Sequence, residues 1–201
     1  MDGFIQNSEI NYYTDHGYLH LRNTVDTEVV DEIKKRGMRQ RSWVEEKPVA
    51  NPVAGKYDEY LSNFYKSKLM YDIASTLLQE EKIWLFNDQV VIKKPFDNFV
   101  FPEHTDNDAV ETNKDYNIET INLSVILDNF TDENGTLEIL SHLTKHWVTL
   151  YPKKGDIVAI RGNTLHRSGE NKSSESRGLF ACVYTEEKLE FDKFYSERFI
   201  I

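Results

Sequence analysis

Apolar and polar residues follow two rhythms along this chain, and the change from one to the other falls near Glu81. Before it, apolar positions recur at three- and four-residue steps. Val25, Val29, Val30 and Ile33 predict a helix over 24–36, with Gly37 expected to stop it. Tyr60, Leu61, Phe64, Leu69, Ile73 and Leu77 predict one long amphipathic helix over 57–81, its aromatic residues packed on a sheet. A short alternating run at 17–22 precedes both, and 38–56 has no period, as in an irregular loop. After Glu81 the rhythm becomes that of strands, at 83–94, 119–127, 136–140, 147–150, 156–160 and 178–185.

Two helices followed by many strands predict a mostly β fold with α (α+β). Its core would be an antiparallel double-stranded β-helix, jelly-roll or cupin-like, with the N-terminal helices packed on one sheet. The 201 residues suit a single domain over 1–201, with no composition shift to mark a linker. With 39% hydrophobic and 29% charged residues the chain is of a folded, globular type. Its net charge of −10 disfavours nucleic acid as a partner. The first ten residues are polar and acidic where a signal peptide would be basic and then apolar. No apolar run approaches the roughly 20 residues that span a bilayer. The expectation is a soluble, cytoplasmic protein without a membrane partner. Cys182, the only cysteine, lies in a strand-like run and is expected to be a small buried hydrophobe.

Three potential metal ligands and an arginine stand out. His104 and Asp106 are spaced as H-x-D in FPEHTD; His166 follows in NTLHRSGEN, and Arg177 comes eleven residues later. H-x-D alone is a weak pattern, but both histidines follow strand-like runs, and strand ends make rigid metal sites. If 104–106 is extended, His104 and Asp106 share one face and Thr105 points away. Two histidines and a carboxylate can take three adjacent corners of an octahedral Fe(II), leaving three open. The planar fork of Arg177 suits bidentate capture of a carboxylate.

In the order and spacing of these blocks the chain resembles the phytanoyl-CoA hydroxylase-like (PhyH) family of Fe(II)/2-oxoglutarate-dependent dioxygenases. The likeness runs from HGYLHLRNTVDTEVVDEIKKRG through NDQVVIKKP, FPEHTDND and DENGTLEILSH to GDIVAIRGNTLHRSGENKSSESR. One departure is Ile139-Leu140-Ser141-His142, where the family usually has Pro-Gly-Ser-His. The resemblance implies Fe(II) on His104, Asp106 and His166, and 2-oxoglutarate with its distal carboxylate on Arg177, Ser168 being placed to donate to the same group. It also implies use of dioxygen, release of succinate and carbon dioxide, and hydroxylation as the default outcome. Asp106 stands where related halogenases carry a small residue, which implies that oxygen rather than chloride enters the product.

Further candidates follow from alternation. Lys93 and Lys94 face opposite sides of their strand; Lys93 shares parity with Gln89 and is the one preferred for the interior, near 2-oxoglutarate or substrate. Asn122 and Ser124 share a face opposite Ile121, Leu123 and Val125, and so can contact the co-substrate or steady a metal ligand. His20 is expected to be exposed on its strand, His142 and His146 to face solvent, and His16 to have no role. A small-molecule substrate, amino-acid-like or a natural product, would meet 38–56 (Arg39, Arg41, Trp43) and 107–120 (Asp108, Glu111, Asp115). Desaturation, cyclisation or demethylation would need the same cofactors. A zinc hydrolase would need no dicarboxylate clamp, and a non-catalytic binding protein on this fold would be expected to have lost a ligand.

Overall fold

The change of rhythm at Glu81 separates the helices that cover one side of a large sheet from most of the strands that build it, the short strands Tyr18–Leu21 and Ala50–Pro52 coming earlier. The computed structural model describes residues 5–41, 50–52, 54–109, 118–188 and 197–198. In chain order the elements are α1 (Asn7–His16), β1 (Tyr18–Leu21), α2 (Thr27–Arg41), β2 (Ala50–Pro52), α3 (Glu59–Tyr65), α4 (Lys68–Leu78), β3 (Trp84–Lys93) and β4 (Phe101–His104). They continue with β5 (Thr120–Ile126), β6 (Leu137–Leu140), β7 (Trp147–Leu150), β8 (Ile157–Arg161), β9 (His166–Ser168), β10 (Arg177–Thr185) and β11 (Glu197–Arg198).

The large sheet has the order β1-β8-β5-β10-β3-β11, with β2 also on β3, and the smaller sheet runs β4-β9-β6-β7. All their pairings are antiparallel, as in the expected double-stranded β-helix. Alternation then divides the large sheet. Leu123, Val125, Phe180, Cys182 and Tyr184 turn to the helices and share a core with Ile33, Leu61, Met70 and Ile73. The buried Tyr184 satisfies its hydroxyl by donating to the Tyr65 carbonyl at 2.8 Å. A smaller core, with Ile126, Phe130, Leu137, Ile139 and Ile160, fills the space between the sheets. Cys182 is buried and free, as expected.

Several local expectations are corrected. The helix predicted to stop at Gly37 continues to Arg41. Gly37 is there for proximity, since a Cβ would come within 2.4 Å of Val90 on β3. The single helix over 57–81 is two, α3 and α4, because the Ser67 side chain accepts from Met70 N and restarts the chain as an N-cap. Asp58 caps α3 in the same way, through Tyr60 N and Leu61 N. A helix not foreseen, α1, begins at a Gln6/Glu9 capping box and ends at Gly17, which has φ 82°. His20 is not an exposed strand residue: its Nε2 lies 2.7 Å from Asp156, which also accepts from Asn23 N and Lys153 N. His142 does not simply face solvent either, for its Nε2 is 3.0 Å from Thr164 Oγ1. His16 meets Ser141 Oγ at 2.9 Å.

Candidate active site

The mouth of the barrel is built by β4 and β9, which meet with His104 directly opposite His166. Between Phe101 and His104 the register slips, so β4 spends one more residue than β9 there. Such a bulge re-aims the side chain that follows it. His104 ends the strand, and Asp106 opens a 3-10 turn over Asp106–Ala109 rather than continuing an extended run. The turn still delivers its carboxylate: the ligand atoms of His104, Asp106 and His166 lie within 4.8 Å of one another.

Backbone carbonyls orient both imidazoles. His104 Nδ1 donates to Pro102 O at 2.8 Å and His166 Nδ1 to Thr164 O at 3.0 Å, which leaves each Nε2 lone pair for a metal. Asn122 Nδ2 donates to Asp106 Oδ2 at 3.0 Å, and Ser124 Oγ donates to Asn122 Oδ1 at 3.1 Å. Asp106 Oδ1 then faces His166 Nε2 across 3.9 Å. The predicted Asn122–Ser124 face thus braces a candidate ligand. Two imidazoles and a carboxylate on adjacent corners suit Fe(II), so the residues present fit that metal.

Below the triad the inner face of β3, β10 and β5 is graded. Gln89, Ala181 and Ser124 form one cross-strand row, Val91, Leu179 and Ile126 the next, and Lys93 lies opposite Arg177 at the far end. A cavity of about 510 Å³, including its open mouth, joins Arg177, Leu179, Ser168 and Gln89 to the three metal-ligand candidates. Arg177 is 1% exposed, its guanidinium 3.8 Å above the Phe130 ring, and its buried Nε has no hydrogen-bond partner. Burial lowers its pKa to about 9, partly offset by Asp128. A buried guanidinium whose Nε–H has no partner fits a carboxylate-bearing co-substrate.

Lys93 points inward, as parity predicted, and donates to Ser168 Oγ at 2.9 Å and to Gly169 O. Lys94 is exposed. The structure therefore gathers His104, Asp106, His166, Arg177, Ser168, Asn122 and Ser124 around one cavity, with Lys93 behind Ser168 rather than on the cavity wall. It also adds two residues that the sequence reading missed. Phe101 lines the cavity, and an aromatic cluster just before H-x-D could have flagged it. Phe130 has no local signal, being far from Arg177 in sequence. Of the expected substrate segments, 42–49 and 110–117, with Trp43, Glu111 and Asp115, lie outside the described residues, as do the side chains of Arg41 and Asp108.

A two-histidine, one-carboxylate set at the mouth of a double-stranded β-helix defines the class, a non-heme metal-dependent oxygenase. The chain belongs to the phytanoyl-CoA dioxygenase (PhyH) family, whose model matches residues 13–179. Among solved structures it is similar to the non-heme alpha ketoglutarate dependent carbocyclase SnoK from nogalamycin biosynthesis, at TM-score 0.83, 14% identity and 96% coverage of both chains. It is similar to EctD from S. alaskensis, solved with 2-oxoglutarate and 5-hydroxyectoine, at TM-score 0.82 and 16% identity, covering 94% of this chain and 79% of that one. The epimerase SnoN, in complex with Fe3+, alpha ketoglutarate and nogalamycin RO, aligns at TM-score 0.76 and 15% identity, covering 94% and 97%. No curated protein matches in sequence. No helix among the described residues is long and apolar enough to cross a membrane.

Proposed function

We propose that this chain is a single-domain Fe(II)- and 2-oxoglutarate-dependent dioxygenase that hydroxylates a small metabolite, amino-acid-like or a natural product, and releases succinate and carbon dioxide. One observation carries the reading: the His104, Asp106, His166 set and the unpaired Arg177 guanidinium open into the same cavity. Bound Fe(II) and 2-oxoglutarate would supply the oxidising power, by reducing dioxygen as the keto acid loses carbon dioxide.

The chain's own residues do the rest. His104 and His166 hold their Nε2 atoms forward through the Pro102 and Thr164 carbonyls, and Asn122 fixes the rotamer of Asp106. Arg177 and Ser168 take the distal carboxylate of the keto acid, while Val91 and Leu179 offer its methylene groups an apolar wall. Phe101 shields the side of the cavity next to His104, their ring centroids 6.2 Å apart. Gln89 stands toward the mouth with a free amide to orient a polar substrate.

Succinate formation with Fe(II), 2-oxoglutarate and a metabolite library, run under labelled dioxygen with chloride present, tests the proposal. Hydroxylation gives a product about 18 mass units heavier than its substrate, with the other heavy oxygen in succinate. Asp106 occupies the position that chloride would need, so no chlorinated product is expected. A second reading is favoured by the likeness to a carbocyclase and an epimerase. Ring closure would give loss of two mass units, and epimerisation no change of mass. Absence of succinate with every substrate, at full iron loading, would refute the co-substrate assignment.

A further inference from the structure

Lys93 and Arg177 face each other across β3 and β10, 0% and 1% exposed. Neither forms an ion pair with an acid among the described residues; Asp128, whose field reaches Arg177, accepts from Lys34 on Oδ1 at 2.5 Å, and its buried Oδ2 has no hydrogen-bond partner. Two cations buried side by side with no ion-paired acid repel each other. A site of that kind suits an anion that arrives later, or a state in which one of the two is neutral. Burial lowers the pKa of both groups, but that of Arg177 stays at about 9 while that of Lys93 falls to about 7, so the lysine is the group that yields first.

The hydrogen bonds of Lys93 go to the protein rather than into the cavity. Its Nζ donates to Ser168 Oγ at 2.9 Å and to Gly169 O, with a longer contact of 3.4 Å to Ser168 O. A hydroxyl that accepts from an N–H keeps its own hydrogen free to donate elsewhere. Ser168 lines the cavity with Arg177, so that hydrogen is available where the distal carboxylate would lie.

We propose that Lys93 is a positioning residue for the co-substrate: it holds Ser168 as a donor to the distal carboxylate, and it takes up a proton from solvent when the dianion binds. This rests on the 2-oxoglutarate reading above and goes beyond it by coupling co-substrate affinity to pH. The charged groups that act on Lys93 are Arg177 from β10, which opposes its proton, and Asp97 and Glu170, which favour it. From β4 the Phe101 ring lies 5.4 Å from Nζ. Burial first, and Arg177 second, lower the Lys93 pKa to about 7. In the empty pocket Lys93 is therefore partly neutral at pH 7 to 8. A carboxylate on Arg177 cancels that repulsion and adds attraction, so Lys93 becomes an ammonium and one proton at most leaves the buffer per site.

Calorimetric titration of 2-oxoglutarate onto protein loaded with redox-inert Mn(II), in buffers of different ionisation enthalpy, measures this uptake without turnover. At pH 8 the wild type should take up most of one proton, and its Kd should rise about tenfold between pH 7 and 8.5. Lys93→Met should bind more weakly at pH 7, with no uptake and no pH dependence across that range. Lys93→Arg, whose charge is permanent, should also be flat. Ser168→Ala should lose affinity but keep the uptake. A wild type with no uptake and a flat Kd overturns the proposal without recourse to any variant, as does a Lys93→Met protein with wild-type uptake. Arg177→Met separates the two levels of inference. If it binds 2-oxoglutarate like the wild type, the co-substrate reading itself fails. If it loses binding while Lys93→Met is indistinguishable from wild type, only the role of Lys93 is overturned.

Discussion

The two ends of the cavity are finished to different degrees. At the mouth, His104 and Asp106 are half-buried and His166 is buried, and each is held by a neutral partner, the Pro102 carbonyl, the Asn122 amide or the Thr164 carbonyl. Geometry there is set before any metal arrives. At the floor, Lys93 and Arg177 are enclosed side by side with no ion-paired acid among the described residues; Asp97, Glu170 and Asp128 act on them only through space. A metal site can be shaped by neutral hydrogen bonds because these orient the ligands and leave the metal-facing lone pairs in place. An anion site built on buried cations cannot be neutralised in advance by an acid without losing its ligand. The floor is electrostatically incomplete until a carboxylate enters, and the mouth is not.

The largest effects should separate the two ends. His166→Ala, or Asp106→Ala, leaves too few ligands to hold Fe(II) and keep three positions open, so turnover should fall by at least about a thousandfold in a folded protein. Iron titration and a thermal melt check this. Wild-type iron affinity in His166→Ala would remove the metal from the mouth altogether. Arg177→Met should leave iron affinity unchanged but weaken 2-oxoglutarate by about ten- to a hundredfold, the loss of a charge-assisted bidentate pair worth roughly 1.5–3 kcal/mol. Equal damage to metal and co-substrate binding by this variant would mean that the two ends are not independent. Asn122→Leu should be milder, lowering iron affinity by about tenfold through a freed Asp106 rotamer, with 2-oxoglutarate affinity on the metal-loaded protein near wild type.

The mouth was more legible in the sequence than the floor, for a physical reason. His104 and Asp106 are two residues apart, and the Lys154-Gly155-Asp156 turn announces the strand before His166, so local spacing carries most of the site. Lys93 against Lys94 was decided by strand parity alone. What pairs with Lys93 is set by the β3–β10 register, which no local pattern contains. The stack of Phe130 on Arg177 is similarly a product of topology. In the fold, strand alternation located most of the long strands because one face of each meets the helices. Short elements went unseen: β9 has three residues, and α1 buries only Tyr13 among its ten residues, too little for a period. Ser67 was misread because Tyr65 and Leu69 keep helical spacing across it, and only a cap reveals the break.

The smallest expected effect is on stability, and it tests whether the floor is strained while empty. The pKa of Lys93 falls from its ordinary value to about 7 on folding, with burial as the larger cause and Arg177 as the other. Above pH 7 the unfolded chain therefore binds more protons at this position than the folded one, up to the ordinary lysine range near pH 10. Linkage then requires this group's contribution to unfolding free energy to rise with pH across that window. Below pH 7 both states hold the proton, and the penalty of a buried ammonium beside Arg177 is fully present. Lys93→Met removes the group, so the stability difference between variant and wild type should favour the variant most at pH 6. That difference should then shrink by about 1 kcal/mol per pH unit between 7.5 and 9. Denaturant unfolding of the metal-free proteins at four pH values reads it directly, and the change with pH cancels any constant cost from the lost bond to Gly169 O. Added 2-oxoglutarate with Mn(II) should reduce the slope, because the bound carboxylate lets Lys93 keep its proton in the folded state. A pH-independent difference between the two proteins would show that the floor holds a fully charged lysine without strain, and would erase the contrast between the two ends of the cavity.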